Sequence, residues 1–207
     1  MFERFLSGFS EDKTQPAPNS LDESTGYPAS GMEWFWKTIA GKSFNNGLYR
    51  THTRRDAKRW SRLTTEAYPE YAGRVHCFAY DWLGRQFCLD FDRVEAGEPL
   101  ILMLEPGTGE ALEIPCNFLQ FHNDELVNEA DAALAAGFYD AWLAQGYQAP
   151  KSCQCVGYKH PLFLGGNDEL PNLELTDLEV YWEIMSQLLC KIRGMAPGTP
   201  IGKITIE

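Results

Sequence analysis

The residues best suited to holding a metal ion are two cysteines and a histidine in the last third of the chain. One residue separates Cys153 from Cys155, and His160 follows five positions later. Structural zinc sites need four ligands, which usually come in pairs spaced like CxxC or HxxxH. A single CxC pair with one histidine does not supply that set. The spacing therefore predicts no metal site, and no other motif indicates a cofactor.

Nucleophilic catalysis is the second chemistry that these residue types could support. His76 directly precedes Cys77, but neighbouring residues of a strand point to opposite faces of a sheet, so the imidazole would not reach the thiol. The sequence has no GxSxG or HExxH motif. Carboxylates are so numerous that no pair of them indicates acid–base catalysis. We therefore predict no catalytic residues.

Two glycine-rich stretches could be mistaken for phosphate-binding loops. Gly107-Thr-Gly109 and Gly165-Gly166 lack both the lysine of GxxxxGK[ST] and the spacing of GxGxxG. Gly107 and Gly109 instead stand between two apolar runs, where a hairpin turn needs flexible residues. The sequence therefore predicts that these glycines shape the fold.

Charge is distributed unevenly along the chain, whose net charge is −11. Residues 50–62 carry six bases and one acid, whereas residues 63–207 carry eight bases and 22 acids. Such an acidic field repels nucleic acid and attracts basic partners. The bases at 55, 58, 59 and 62 share one face of a predicted helix, either as a solvated face or as a docking face for an acidic partner.

The apolar pattern predicts an α+β fold, a mainly antiparallel β-sheet flanked by about four helices. One hairpin is predicted over 75–91 with Gly84 in its loop, and a second over 99–115. Helices follow from apolar periodicity and capping residues. Their predicted spans are 54–67 after Thr53, 118–126, 129–145 after Asn128, and 177–192 with Thr176 as its cap. Shorter strands are predicted at 155–158, 162–164 and 200–206.

The predicted domain organisation is simple. Residues 1–30, rich in Ser, Pro and charged residues, form an irregular lead-in. Residues 31–207 form a single α+β domain, or alternatively two packed lobes, 31–146 and 147–207. No apolar stretch reaches 18 residues and the N-terminus lacks a signal peptide, so we expect no membrane segment and a cytoplasmic location.

Three parts of the sequence resemble bacterial immunity proteins. Tyr158-Lys-His-Pro-Leu-Phe-Leu-Gly-Gly166, Asn172-Leu-Glu174 and the helix from Asp177 to Leu188 resemble the C-terminal domain of proteins that neutralise type VI secretion DNase effectors. Residues 105–121 are distantly similar to SUKH immunity proteins. Residues 44–50 with 80–87 look like the GAD-like part that precedes this domain. The resemblance covers roughly 31–190, and the aromatic Trp182 departs from the expected helix face.

This resemblance implies a toxin-neutralising protein that caps a secreted effector, such as a nuclease, through an acidic surface. The partner would be a basic protein toxin, and the protein a monomer or weak homodimer. A small enzyme with a cleft near 158–166 and a non-toxin adaptor are the alternatives. The candidate partner-binding residues are Asp168, Glu169, Glu174, Asp177, Glu179, Glu183 and, if its loop is exposed, Trp82. The residues expected to be structural are Gly84, Gly107, Gly109, Gly165, Gly166 and Trp182.

Overall fold

The computed structural model describes residues 1–13 and 29–196. Six strands form one antiparallel sheet in which each strand pairs with the next along the chain. They are β1 Ser43–Phe44, β2 Tyr49–Thr51, β3 Val75–Asp81, β4 Gln86–Glu95, β5 Glu98–Glu105 and β6 Glu110–Asn117. A second antiparallel sheet consists of β7 Gln154–Tyr158 and β8 Leu173–Asp177.

Helices cover both faces of the six-stranded sheet. They are α1 Glu3–Gly8, α2 Met32–Thr38, α3 Arg54–Ala67, α4 Phe118–Gln120, α5 Leu126–Asn128, α6 Ala130–Leu134, α7 Ala136–Ala144 and α8 Leu178–Ile192. A π-helix, Phe121–Glu125, joins α4 to α5. Three short 3-10 helices lie at Pro69–Tyr71, Leu162–Leu164 and Leu170–Asn172. The predicted α+β class with a mainly antiparallel sheet is confirmed, with shorter and more numerous helices than expected.

Both predicted hairpins are confirmed. Gly84 lies in the β3–β4 loop with φ +80°, and Gly109 lies in the β5–β6 turn with φ +73°, conformations that L-residues rarely adopt. Every residue of β3 is buried, because separate apolar clusters cover the two faces of the sheet. Burial on both faces explains why apolar residues of this strand point to both sides of the sheet.

One face of the sheet is covered by aromatic residues packed around His122. Its ring lies within 6 Å of those of Phe2, Phe5, Phe118 and Tyr49. The His122 Nδ1 donates to the Phe118 carbonyl at 2.8 Å, so Nε2 accepts the hydroxyl hydrogen of Tyr49 at 3.0 Å. Burial lowers the pKa of His122 to about 4, and the imidazole is therefore neutral at pH 7.

The opposite face of the sheet is covered by α3 and α8. Trp60 of α3 meets Trp182 of α8 edge to face, with ring centroids 6.1 Å apart. The Trp182 indole donates to the Gly84 carbonyl at 2.7 Å, which fixes α8 to the β3–β4 loop. The predicted cap of α3 is confirmed, because Thr53 accepts from the Asp56 amide at 3.2 Å.

The start of α8 corrects the predicted cap. Thr176 belongs to β8 and pairs with Cys155 of β7, so the strand fixes the position of Thr176. The carboxylate of Asp177 caps the helix instead, accepting from the Glu179 and Val180 amides at 2.9 and 3.1 Å. The sequence did not predict β8, and the strand delays the start of the helix by one residue.

Two further elements differ from the sequence prediction. Residues 129–145 are not one helix, because Ala135 adopts a left-handed conformation (φ 50°, ψ 46°) and separates α6 from α7. Residues 162–164 form a 3-10 helix, not a strand, since Gly165 at φ +90° ends the segment after a single turn. The strand predicted at 200–206 lies outside the described residues.

The N-terminal segment is ordered where an irregular lead-in was predicted. Residues 3–8 form α1, and Phe2, Phe5 and Phe9 are buried in the cluster around His122. Their burial removes three aromatic side chains from water, which stabilises the short helix by tertiary packing. Residues 14–28 of the predicted lead-in lie outside the described residues.

Removing the glycine at position 107 should destabilise the fold by a steric effect. A Cβ there would lie 2.5 Å from Cδ2 of Tyr158, so we expect Gly107→Ala to cost about 1–3 kcal/mol. In the Tyr158→Ala background the ring is absent, and the same change should cost far less. Urea denaturation of the four proteins measures this coupling, and equal costs in both backgrounds would contradict the contact.

Stability should decrease as the pH falls below 6.5. Burial lowers the pKa of His52 to about 4, of His76 to about 3 and of His122 to about 4, so unfolding takes up three protons in this range. Glu105 opposes this trend, because its pKa of about 7 means that unfolding releases one proton. The net uptake of two protons lowers the unfolding free energy by about 2.7 kcal/mol per pH unit between pH 6 and 5.

Urea denaturation at pH 5, 6, 7 and 8 provides the measurement. The exposed His160 supplies a control, because His160→Gln should leave the slope unchanged. A flat stability profile between pH 7 and pH 5 would show that the buried histidines gain protons within the folded protein.

Candidate functional site

The C-terminal region is seated on the β5–β6 turn. The Tyr158 ring packs on Gly107, and the Leu162 amide donates to the Gly107 carbonyl at 2.9 Å. A Cβ on Gly109 would lie 2.5 Å from Cδ2 of Leu189 in α8. Gly107 and Gly109, which were both predicted to be structural, therefore allow these close contacts. The region 158–166, where an enzyme cleft was one alternative, packs against the turn, and Tyr158 is buried.

A buried ionic cluster lies beneath this contact. Arg85 donates from Nε to the Asp81 carboxylate at 2.6 Å and lies 3.5 Å from Oε2 of Glu105. Burial raises the pKa of Glu105 to about 7, an effect that the Arg85 charge opposes. Arg85 also donates to the Ala133 carbonyl at 3.2 Å. The cluster therefore links the β3–β4 loop, the β5–β6 turn and α6.

The six acids predicted to bind a partner do not form one compact patch. Asp168 and Glu169 are exposed in the loop before β8, and Asp168 accepts the Tyr158 hydroxyl hydrogen at 2.6 Å. Glu174 and Asp177 are exposed along β8. Because Leu173 pairs with Tyr158 and Asp177 with Gln154, the acids lie towards opposite ends of the small sheet, separated by roughly 13 Å of strand.

Glu179 has a partner within the protein. Its carboxylate forms an ion pair with Arg59 of α3. The basic face of α3 is exposed at Arg55, Lys58, Arg59 and Arg62, and it reaches α8 through this pair. Glu179 is therefore partly occupied in holding α3 and α8 together, whereas Glu183 is exposed one turn further along α8.

Trp82 does not lie at the surface. Its exposed fraction is 0%, and its indole donates to the Leu134 carbonyl at 2.9 Å. Phe138 and Tyr139 of α7 pack against the ring, with centroids 5.7 and 4.9 Å away. The prediction of an aromatic anchor at this position is wrong, because the loop is covered by α6 and α7.

An exposed apolar residue that the sequence did not predict as part of a site lies beside the acids. Val180 of α8 is 49% exposed. Asp177 lies three residues before it and Glu183 three residues after it, so all three share one side of the helix. Glu174 lies on the α8 side of β8, because its partner Gly157 approaches the Tyr181 ring on that side. An apolar side chain is thus surrounded by exposed carboxylates.

A cavity of about 420 Å³ opens at the N-terminus of α8, where Asp177, Leu178 and Glu179 line it. It lies between β2, the start of α3 and the loop 149–153. Five cationic side chains contribute to its wall: Lys42, Arg50, Arg55, Arg59 and Lys151. The sequence identified the bases of residues 50–62 as a helix face but did not predict that they border a concave site.

The cysteines show no arrangement for metal binding. Among residues 1–13 and 29–196, no group of three His, Cys, Asp or Glu side chains is placed to hold a metal ion. All six cysteines are free. Cys153 is exposed whereas Cys155 is buried against α8, so the CxC pair does not converge on one point.

Neutralising the buried carboxylate should alter the pH dependence of stability. The raised pKa of Glu105 favours its protonated form in the folded state, so its contribution to stability is present below pH 4.5 and is lost as pH rises through 7. We expect Glu105→Gln to gain about 3 kcal/mol relative to wild type between pH 4.5 and 8. Urea denaturation measures the difference, with Glu113→Gln, on an exposed carboxylate, as the control. A difference that is constant with pH would contradict the raised pKa.

Comparison with solved structures supports the fold as a whole. The crystal structure of Atu4351 from Agrobacterium tumefaciens superimposes with a TM-score of 0.60, covering 97% of this chain and 96% of that chain at 15% sequence identity. At that identity the likeness concerns the fold alone. None of the curated proteins matches the sequence. In the part of the chain that the structure describes, no helix is long and apolar enough to cross a membrane.

Residues 117–189 match the family described as T6SS immunity protein Tdi1, C-terminal. This segment runs from the end of β6 through β7 and β8 into α8. It includes residues 158–188, one of the three parts that carry the resemblance, whereas residues 44–50 and 80–87 lie outside it. The match confirms the resemblance to immunity proteins of type VI secretion effectors. Over these residues the chain is similar to the C-terminal domain of type VI secretion immunity proteins.

Proposed function

We propose that this protein neutralises a type VI secretion effector by binding it and covering its working surface. The observation that carries the proposal is the family match over residues 117–189. Neutralisation of this kind requires affinity and shape complementarity, and no catalytic step. The proposed place of action is the cytoplasm, where a nuclease effector would meet its nucleic acid.

The charge of the chain supports a basic partner. Residues 94–150 contain ten Asp and Glu residues and no Lys or Arg. Seven of these acids are exposed: Glu95, Glu110, Glu113, Asp124, Glu129, Asp131 and Asp140. An effector that holds nucleic acid needs a basic surface for its phosphate contacts. An acidic protein would compete for that surface and would associate rapidly through electrostatic steering.

We place the centre of the contact at Val180. Interfaces typically have a desolvated apolar centre surrounded by polar residues, and few residues supply most of the binding free energy. Val180 is 49% exposed, and Glu174, Asp177 and Glu183 lie around it. Asp168 and Glu169 would contact the partner only at the periphery, because they lie at the far end of β8. Glu179 would contribute less, because Arg59 already neutralises it.

Charge reversal at the edge of this surface tests the proposal without disturbing the helix cap. The double variant Glu174→Lys/Glu183→Lys changes two exposed side chains and leaves Asp177 in place. The control is Glu110→Lys/Glu129→Lys, which makes the same change in net charge at exposed positions elsewhere. We expect the first variant to weaken effector binding by at least about 100-fold, since like charges would then face each other across the interface.

The measurement begins with the tagged wild-type protein as bait in the source cells. A captured secreted protein is purified, tested for toxicity when produced in a susceptible cell, and titrated against wild type and both variants. Loss of binding and of protection in the first variant alone supports the proposed surface. Equal protection by both variants would place the contact elsewhere, and a captured protein whose toxicity the wild type does not reduce would contradict the neutralising function.

A further inference from the structure

The most distinctive residue in the 420 Å³ cavity is a buried arginine. Arg50 is only 4% exposed. Its Nη1 donates to the Gln154 carbonyl at 3.2 Å, and its Nη2 donates to the Pro150 carbonyl. Its Nε is buried and has no hydrogen-bond partner among the described residues. The guanidinium therefore retains unused donor capacity.

The groups in direct contact with the Arg50 guanidinium are neutral. Both of its hydrogen-bond acceptors are main-chain carbonyls, and the Tyr80 ring lies 5.7 Å from its guanidinium carbon. Within residues 1–13 and 29–196, no carboxylate forms an ion pair with it. A buried charge without a counter-ion is costly. Such a charge at a cavity wall indicates that the counter-ion comes from outside the chain.

The carboxylates of the cavity wall are engaged in other contacts. Asp12 accepts from the Ser43 hydroxyl at 2.6 Å and from the amides of Asn46 and Gly47 at 2.6 and 2.8 Å. Asp177 caps α8, as described above. Glu179 pairs with Arg59, and Asp56 accepts the Thr53 hydroxyl hydrogen at 2.6 Å. Among the described residues, none of these acids forms an ion pair with Arg50.

The floor of the cavity is rigid and uncharged. The His52 ring is stacked between those of Trp60 and Tyr80, with centroids 5.9 and 4.9 Å away. Its Nε2 donates to Oε1 of Gln86 at 2.7 Å, since an amide oxygen can only accept. The amide nitrogen of Gln86 is buried and without a partner in the described part of the chain. The floor thus contributes no charge that would compensate that of Arg50.

We propose that this cavity binds a small molecule carrying a phosphate group, with Arg50 as the central contact. Guanidinium groups bind phosphate oxygens through paired, charge-assisted hydrogen bonds. The exposed Arg55 and Lys151 at the mouth of the cavity supply further positive charge. The cavity volume lies within the range usual for small-ligand sites. The proposal depends only on this chain and is independent of its effector.

The test uses titration calorimetry and thermal unfolding of the full chain at constant ionic strength. The probes are inorganic phosphate, adenosine monophosphate and citrate, with chloride as the ionic-strength control. We expect both phosphate compounds to bind and to raise the unfolding temperature, and citrate to bind at least about tenfold more weakly. Tighter binding of citrate, or no binding of either phosphate compound at millimolar concentration, overturns the proposal.

Two variants distinguish a binding role for the cations from a purely structural one. Arg50→Gln removes the central charge, but it also removes contacts to the loop 149–153. Arg55→Gln/Lys151→Gln changes only exposed side chains at the mouth, and Lys37→Gln/Lys159→Gln makes the same charge change away from the cavity. We expect phosphate affinity to be lost in the first variant, to fall about tenfold in the second and to be unchanged in the third. Equal affinity in all three variants overturns the assignment.

Discussion

Close contact between side chains and glycine backbone is the constraint on which the arrangement of this protein depends. A Cβ on Gly107 would lie 2.5 Å from the Tyr158 ring, and a Cβ on Gly157 would lie 2.6 Å from the Tyr181 ring. These contacts hold the small sheet and α8 against the larger sheet. Because interiors are close-packed, a single methyl group at either position would separate the layers. The small sheet and α8 therefore pack closely against the β5–β6 end of the larger sheet.

Local signals were sufficient to predict the elements whose ends are set by nearby residues. The two hairpins follow from the turn chemistry around Gly84 and Gly109, and α3 follows from its Thr53 cap. Elements that depend on distant partners were missed. The strand β8 exists because it pairs with β7, fifteen residues earlier, and its own sequence alternates only briefly. Likewise, α1 is stabilised by rings around His122, which is more than 110 residues away.

At the candidate sites, too, the sequence predicted features that depend on nearby residues and missed features that depend on contacts distant in the sequence. The sequence predicted a set of partner-binding acids in residues 168–183, and the structure exposes Glu174, Asp177 and Glu183 on β8 and α8. It could not predict that α6 and α7 would cover Trp82, because that burial depends on a carbonyl 52 residues away. It also could not predict the cavity around Arg50, whose wall combines Asp12, Tyr80 and parts of residues 41–60, 149–153 and 177–179. Charge counting identified the bases, and only the fold shows which of them lacks an acidic partner.

Asp177 links the two surfaces in physical terms. Its side chain caps α8, which sets where the helix begins and directs Val180 and Glu183 towards solvent. The same residue lines the Arg50 cavity, next to the loop that binds the guanidinium. Its Oδ1 accepts from two helix amides, and among the described residues the carboxylate forms no ion pair with Arg50. A single capping residue therefore belongs both to the helix that exposes Val180 and to the wall of the cavity around Arg50.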